Sequence, residues 1–159
     1  MVSDPGTAPG GDMHLDHVAV AVRSVDLAAA RLAALFGYTP RTTKVTNTRQ
    51  MVNVLFLAKP GSIDIKLIEP SSPESPLVDF VRKGGGLHHV CFRVPDVAGA
   101  CADLASKGAR VIAGPEPGEA FGSHDIAFVF AGLGLNVELV DTDERHAPLT
   151  QTNGHASDE

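Results

Sequence analysis

Leu15-Asp16-His17-Val18-Ala19-Val20-Ala21-Val22 and Leu87-His88-His89-Val90-Cys91-Phe92-Arg93-Val94 are two versions of one eight-residue segment, 72 positions apart. Both alternate in the manner of a half-buried strand, and β-branched Val dominates the first. The same offset pairs Val25-Asp26 with Val97-Ala98, each opening an Ala-rich stretch of helical spacing. It also pairs Ile65-Lys66-Leu67 with Val137-Glu138-Leu139. An offset that holds from the start to the end of each half without slipping means one module present twice.

The periodicity predicts the elements of each copy. Residues 15–22 form a strand. Asp26 to Phe36 is an amphipathic helix with Leu27, Ala30, Arg31, Ala34 and Leu35 at helical spacing and Gly37 as its stop. Strands follow near 41–46, 51–58 and 62–69, separated by turn residues such as Lys59-Pro60-Gly61. Ser75-Pro76 reads as an N-cap with Pro at the first helical position, opening a short helix to about Val81 that Lys83-Gly84-Gly85-Gly86 ends. The second copy gives a strand at 87–94, a helix at 96–107 stopping at Gly108, and strands at 109–113, 125–130 and 134–140. Each module is βαβββ. The expected fold class is α+β, with two modules related by pseudo-twofold symmetry and forming a cleft.

The 159 residues suffice for one domain, and 43% hydrophobic residues give it a core to bury. A net charge of -6 argues against nucleic acid, and no apolar run approaches the roughly 18 residues of a membrane span. The N-terminus has neither a basic n-region nor an apolar h-region, which points to the cytoplasm. Two cysteines are too few for a disulfide scaffold; Cys91 reads as a core residue and Cys101 as part of a helix. The polar composition of residues 1–13 and 142–159 marks two flexible tails around a single domain at 14–141, with modules at about 14–70 and 86–141. The partners expected are a small-molecule substrate and, in a homodimer, a second copy of the chain.

Four positions become equivalent under the repeat. His17 and His89 match on the first strands, Lys66 and Glu138 on the last, and each histidine precedes its partner by 49 residues. Packing two such modules about a pseudo-twofold axis brings all four into one cleft. Two histidines and a carboxylate on rigid strands are the ingredients of a divalent-metal site: His17, His89 and Glu138. Strand alternation places His88 on the face opposite His89. Lys66 ligates only when neutral, and deprotonating it at pH 7 from about pKa 10.4 costs roughly 4–5 kcal/mol, so it is not counted as a ligand. Its ammonium can pair with Glu138 or with Asp64 two residues away, or it can bind a substrate carboxylate or enolate oxygen. His124, after the Gly-containing loop Phe121-Gly122-Ser123, and Gln50, before the strand 51–58, are candidate substrate contacts.

The segments Leu15-Asp16-His17-Val18-Ala19, Ile65-Lys66-Leu67-Ile68-Glu69-Pro70, Ser75-Pro76, Gly84-Gly85-Gly86-Leu87-His88-His89 and Val137-Glu138-Leu139 together resemble the vicinal-oxygen-chelate (glyoxalase/bleomycin-resistance) superfamily. The likeness is closest to methylmalonyl-CoA epimerase-like proteins and covers about residues 15–140. It implies a glyoxalase-type fold and a metal held by His17, His89, Glu138 and an acidic or amide residue in the strand that here carries Lys66. The cofactor implied is a divalent ion (Co, Mn, Zn, Ni or Fe, which the donor set does not distinguish), or none, because Lys66 replaces the usual fourth ligand. The activity implied is an isomerase or epimerase working by proton transfer alpha to a carbonyl, with an acyl thioester as candidate substrate. Metal or Lys66 would stabilise the enolate, and Glu138 is the carboxylate placed to move the proton. The family's separate acidic base has no counterpart in Met51-Val52-Asn53-Val54-Leu55. Two alternatives stand beside this reading: an Fe(II)-type oxygenase on the same three ligands, and a non-catalytic protein that binds an antibiotic or similar small molecule.

Overall fold

A computed structural model describes residues 12–149. The chain forms β1 (His14–Ala21), α1 (Val25–Phe36), β2 (Thr39–Pro40), β3 (Val45–Asn47), β4 (Val52–Ala58), β5 (Asp64–Pro70), α2 (Val78–Arg82), β6 (Gly86–Arg93), α3 (Val97–Ser106), β7 (Arg110–Pro117), β8 (Asp125–Phe130) and β9 (Asn136–Val140). A 3₁₀ turn at Glu119–Phe121 precedes β8. The nine strands make one sheet in the order β2-β4-β5-β1-β6-β9-β8-β7, with β3 also on β4. β1 lies parallel to β5 and β6 parallel to β9, while β1 and β6 meet antiparallel where the halves join. The α+β fold of two related modules is therefore the one the repeat implies.

The repeat is exact at the level of single hydrogen bonds. Val22 N donates to Ile68 O at 2.9 Å, and Val94 N to Val140 O at 2.8 Å. Ser24 caps α1 by accepting from Leu27 N at 3.2 Å, and Asp96 caps α3 by accepting from Gly99 N at 3.1 Å. Lys66 faces Ala19 across β5/β1 just as Glu138 faces Cys91 across β9/β6. α1 ends at Gly37, whose φ of 72° is the left-handed conformation that a Cβ disfavours.

Alternation along the strands divides the apolar side chains between two faces. On the outer face α1 covers Leu55, Leu57 and Leu67, and α3 covers Ala127, Val129, Val137 and Leu139. On the inner face Val54, Phe56 and Ile68 from one module join Ile126 and Val140 from the other, together with Phe121 from the 3₁₀ turn. The functional side chains stand on this inner face, between the halves.

Some boundaries differ from the sequence reading for visible reasons. The strand expected at 41–46 is split, because Arg41–Thr43 turn to meet the C-terminal segment: Thr43 N donates to Ala147 O, Leu149 N to Arg41 O, and Thr42 bridges Pro148. Residues 142–149, read from their polarity as tail, thus belong to the fold, and Arg145 is buried. Met13, assigned to the other tail, packs against the cluster beneath α3. Residues 1–11 and 150–159 of those tails lie outside the described residues. Ser75 caps a turn rather than the helix itself: its Oγ accepts from Leu77 N at 3.2 Å, and α2 begins at Val78. Among the described residues no helix is long and apolar enough to cross a membrane.

Leu67 and Leu139 are equivalent under the repeat and both fully buried. Leu67→Ala and Leu139→Ala should each cost about 2–5 kcal/mol in urea unfolding, whereas Leu27→Ala, at 75% exposure, should stay within about 0.5 kcal/mol. A tolerant Leu139 would show that the second module does not share one cooperative core with the first.

Candidate active site at the module junction

The β1–β6 ladder is interrupted twice. Leu15 pairs with Phe92 and His17 with Cys91, so Asp16 is an extra residue in β1. Ala19 pairs with His89 and Val20 with Leu87, so His88 is an extra residue in β6. The two bulges are themselves 72 residues apart. A bulge breaks strict alternation and re-aims a side chain. It brings Asp16 to His17 and His88 to His89, where alternation alone had assigned His88 to the opposite face.

The four equivalent residues meet as the repeat requires. Lys66 Nζ lies 3.2 Å from Glu138 Oε2 and 3.4 Å from Oε1. His89 Nε2 is 2.7 Å from Oε2, and His17 Nε2 is 3.4 Å from it but out of line, which leaves that nitrogen without a hydrogen bond. All four residues are buried. Phe56 and Phe121 pack against the His17 ring and lie 5.9 and 5.0 Å from Lys66 Nζ. Phe128 meets His89 edge-on. Asp64, the other partner considered for Lys66, is held instead by Arg41 and Arg145.

Ionisation fixes the protons. Burial would raise the Glu138 carboxyl, but the Lys66 ammonium and the two imidazoles outweigh it and hold it well below the usual carboxylate range. Burial would likewise raise Asp16, yet the His17 hydrogen bond and the Arg145 and Arg93 guanidiniums bring it down to about 2. Burial pushes His89 down to about 4, against the pull of Glu138, and also lowers His88. An ionised carboxylate only accepts. His17 Nδ1, 2.6 Å from Asp16 Oδ2, therefore carries a proton and donates it, and Nε2 is the ring nitrogen that points inward. His89 donates through Nε2 to Glu138, so its Nδ1 accepts from His88 Nδ1 at 2.8 Å, and the lone pair of neutral His88 falls on Nε2.

A cavity of about 340 Å³ opens onto this cluster. Lys66, His88 and His89 line it, with apolar Val52, Ile68, Leu77 and Phe128, and with Arg49 and Gln50. Among the described residues no carboxylate does; the fully buried Glu138, expected to move the proton itself, stands behind Lys66 and His89. Gln50 is where a substrate contact would be. His124 is not: its ring lies between Asp141 (3.1 Å) and Glu144 (3.2 Å), outside the residues lining this cavity. Sequence reasoning missed Asp16, Arg145, Phe121 and Arg49, and it misplaced His88. Asp16 carried the one usable signal, a carboxylate adjacent to a candidate ligand.

The donor set suits a divalent ion. One ligand atom each from His17, His89 and Glu138 lies within 4.8 Å of the others, and the unpartnered His17 Nε2 is presented by a carboxylate-held ring, as in metal-binding histidines.

A family model described as glyoxalase/bleomycin resistance protein/dioxygenase superfamily matches residues 16–128, and the chain belongs to that superfamily. Within it, the chain is 34% identical over 105 residues to the ethylmalonyl-CoA/methylmalonyl-CoA epimerase of Cereibacter sphaeroides, an alignment covering 65% of this chain and 77% of that protein. It superposes on the methylmalonyl-CoA epimerase of Mycobacterium tuberculosis with a TM-score of 0.72 at 30% identity, covering 80% and 86% of the two chains. A methylmalonyl-CoA epimerase solved with methylmalonyl-CoA and NH4+ superposes with a TM-score of 0.70 at 27% identity, covering 82% and 94%. These relatives are enzymes of the epimerase type.

The depressed His89 ring makes stability depend on pH. Between its ordinary 6.5 and about 4 the unfolded chain binds a proton there that the folded chain refuses. Stability in chelator-treated protein is therefore full above pH 6.5 and falls by on the order of 3 kcal/mol toward pH 4. His88 acts in the same direction. Asp16, lowered from 3.8 to about 2, adds a further loss as pH falls through that range. Urea midpoints measured from pH 7 to 4 should show the decline, and His89→Gln should flatten most of it. A wild-type midpoint constant over this range would mean that the ring is not buried neutral.

Proposed function

We propose that this chain is an acyl-CoA epimerase that removes the proton alpha to a thioester carbonyl and returns it with inversion. The observation that supports this best is one cavity wall on which the Lys66 ammonium stands beside the His88–His89 pair, both joined to Glu138. The C–H electron pair moves into the enolate, whose oxygen takes its stabilisation from Lys66. The proton goes to His88 Nε2, the Nδ1 proton of His88 passes to His89 Nδ1, and the Nε2 proton of His89 neutralises Glu138. The relay then runs back, and once the planar enolate has turned its other face to His88, the Nε2 proton of His88 returns to the carbon and the centre is inverted. Arg49 and Lys66, in a cavity that no carboxylate among the described residues lines, favour a substrate bearing its own negative charge, as ethylmalonyl- and methylmalonyl-CoA do.

A divalent ion held by His17, His89 and Glu138 would displace the Nε2 proton of His89, and with it that relay, and would supply Lewis-acid charge to the same oxygen. Protonated Lys66 competes with it for Glu138. At an effective dielectric of about 20, two unit charges about 4 Å apart interact by about 4 kcal/mol, and a divalent ion doubles that. Lys66→Glu, which removes the repulsion and adds a donor, should therefore tighten Mn²⁺, Co²⁺ and Zn²⁺ by at least about 100-fold in calorimetric titrations. Equal affinity in both proteins would mean that Lys66 does not compete for the site.

The proposal is tested by deuterium wash-in at C2 of methylmalonyl-CoA in D2O, with chelated and with metal-supplemented protein. Exchange above the spontaneous rate is expected. It should fall by about 10²–10⁴-fold in His88→Gln, as for loss of a general base, and by at least about 100-fold in Lys66→Met. Binding of acyl-CoA with no exchange under either condition would leave a binding protein. Because His17, His89 and Glu138 are also a donor set for Fe(II), stoichiometric iron with oxygen uptake would replace the epimerase by an oxygenase.

A further inference from the structure

We infer that Arg145, from the segment beyond β9, is a positioning residue that sets the tautomer of His17. Its side chain is 1% exposed. The guanidinium lies 4.5 Å from the centre of the Phe56 ring and 5.2 Å from that of Phe121, the two rings that flank His17. Its Nη2 donates to Asp16 Oδ2 at 2.6 Å, the same oxygen that accepts from His17 Nδ1 at 2.6 Å. The other oxygen, Oδ1, is occupied separately by Arg93 Nε and Nη2 at 3.0 and 2.9 Å. Arg145 is thus the cation that meets the carboxylate oxygen on which the imidazole depends.

The segment is anchored for this purpose on both sides of Arg145. Arg41 Nη2 donates to Asp143 O at 2.8 Å, His146 N to Ala120 O at 2.9 Å, and Thr43 N to Ala147 O at 3.1 Å. Arg145 Nε is buried with no partner among the described residues. A guanidinium buried for stability alone gains little by leaving a donor unpaired. Its position is explained by what Nη2 does: it holds Oδ2 of Asp16 turned to His17. An acceptor-only Oδ2 forces the proton onto Nδ1 and leaves the Nε2 lone pair facing Glu138 and Lys66. Without Arg145, Asp16 retains only Arg93, whose side chain is 43% exposed, and Oδ2 is free to turn away. His17 then gains by moving its proton to Nε2, where Glu138 Oε2 waits 3.4 Å away. That tautomer has no inward lone pair to offer a cation. The inference concerns the state of His17 and holds whichever reaction the site performs.

The test is the ring ¹⁵N spectrum of His17 at pH 7 in chelator-treated full-length protein, assigned with His17→Gln and read beside the circular dichroism and urea midpoint of each variant. Wild type should show a pyrrole-like Nδ1 and a pyridine-like Nε2. In Arg145→Met the pattern should mix or reverse, and Arg145→Lys should restore it. Leu139→Ala, which weakens the core on the outer face without touching Asp16, should lower the midpoint and leave the tautomer alone. A folded Arg145→Met with the wild-type pattern would overturn the inference. So would a wild-type His17 protonated at Nε2, a result that stands even if Arg145→Met fails to fold.

Discussion

One carboxylate oxygen, Oε2 of Glu138, has three nitrogens around it from three other strands: Lys66 of β5, His17 of β1 and His89 of β6. A buried charge is tolerable only when it is paired and its remaining lone pairs are met, and removing one partner of such a pair typically costs about 3–5 kcal/mol. The junction of the two modules is therefore held on its inner face by the same atoms that would bind a ligand. Fold and site cannot be separated here. The aromatic enclosure follows from this constraint, because Phe56, Phe121 and Phe128 keep water from the ion pair and strengthen it.

The repeat also explains what could and could not be seen beforehand. Strand and helix positions follow from period-2 and period-3.6 patterns, which survive in any context where one face is buried, and the constant offset carried His17, Lys66, His89 and Glu138 to a common point. The residues behind them were hidden by the same rule. Alternation sends Asp16 and His88 to the far face, and only the unpaired positions in the β1–β6 register undo that. Nothing local marks a bulge in Leu15-Asp16-His17. Arg145 was hidden differently: its neighbours are polar because they run along the surface, while its own side chain goes inward to an acid 129 positions earlier.

The two half-sites share a plan and differ in access. Each central histidine leans through Nδ1 on the residue before it, Asp16 in one module and His88 in the other. Asp16 is sealed by two arginines, and His17 is held by its Nδ1. His88 is partly exposed, sits edge-on to Phe80, and reaches the cavity. On this geometry the proposed proton relay lies in the second module, while the first presents a fixed Nε2. Duplication followed by exchange of one acid for one imidazole is enough to produce that division.

Charge balance is the deeper consequence of Lys66. With His89 and His88 neutral, the central cluster carries Glu138 and Lys66 alone, one charge of each sign on residues that the pseudo-twofold operation exchanges. A divalent ion added to it leaves an excess of two positive charges in a place where burial penalises any net charge by several kcal/mol. Either the ammonium swings into the cavity it lines, or an anionic ligand arrives with the ion and balances it. Without the ion, the ammonium already stands where an incoming oxyanion needs a cation, and Glu138 needs no further partner. The ion pair is balanced in itself, and a negative charge arriving in the cavity would meet the ammonium of Lys66.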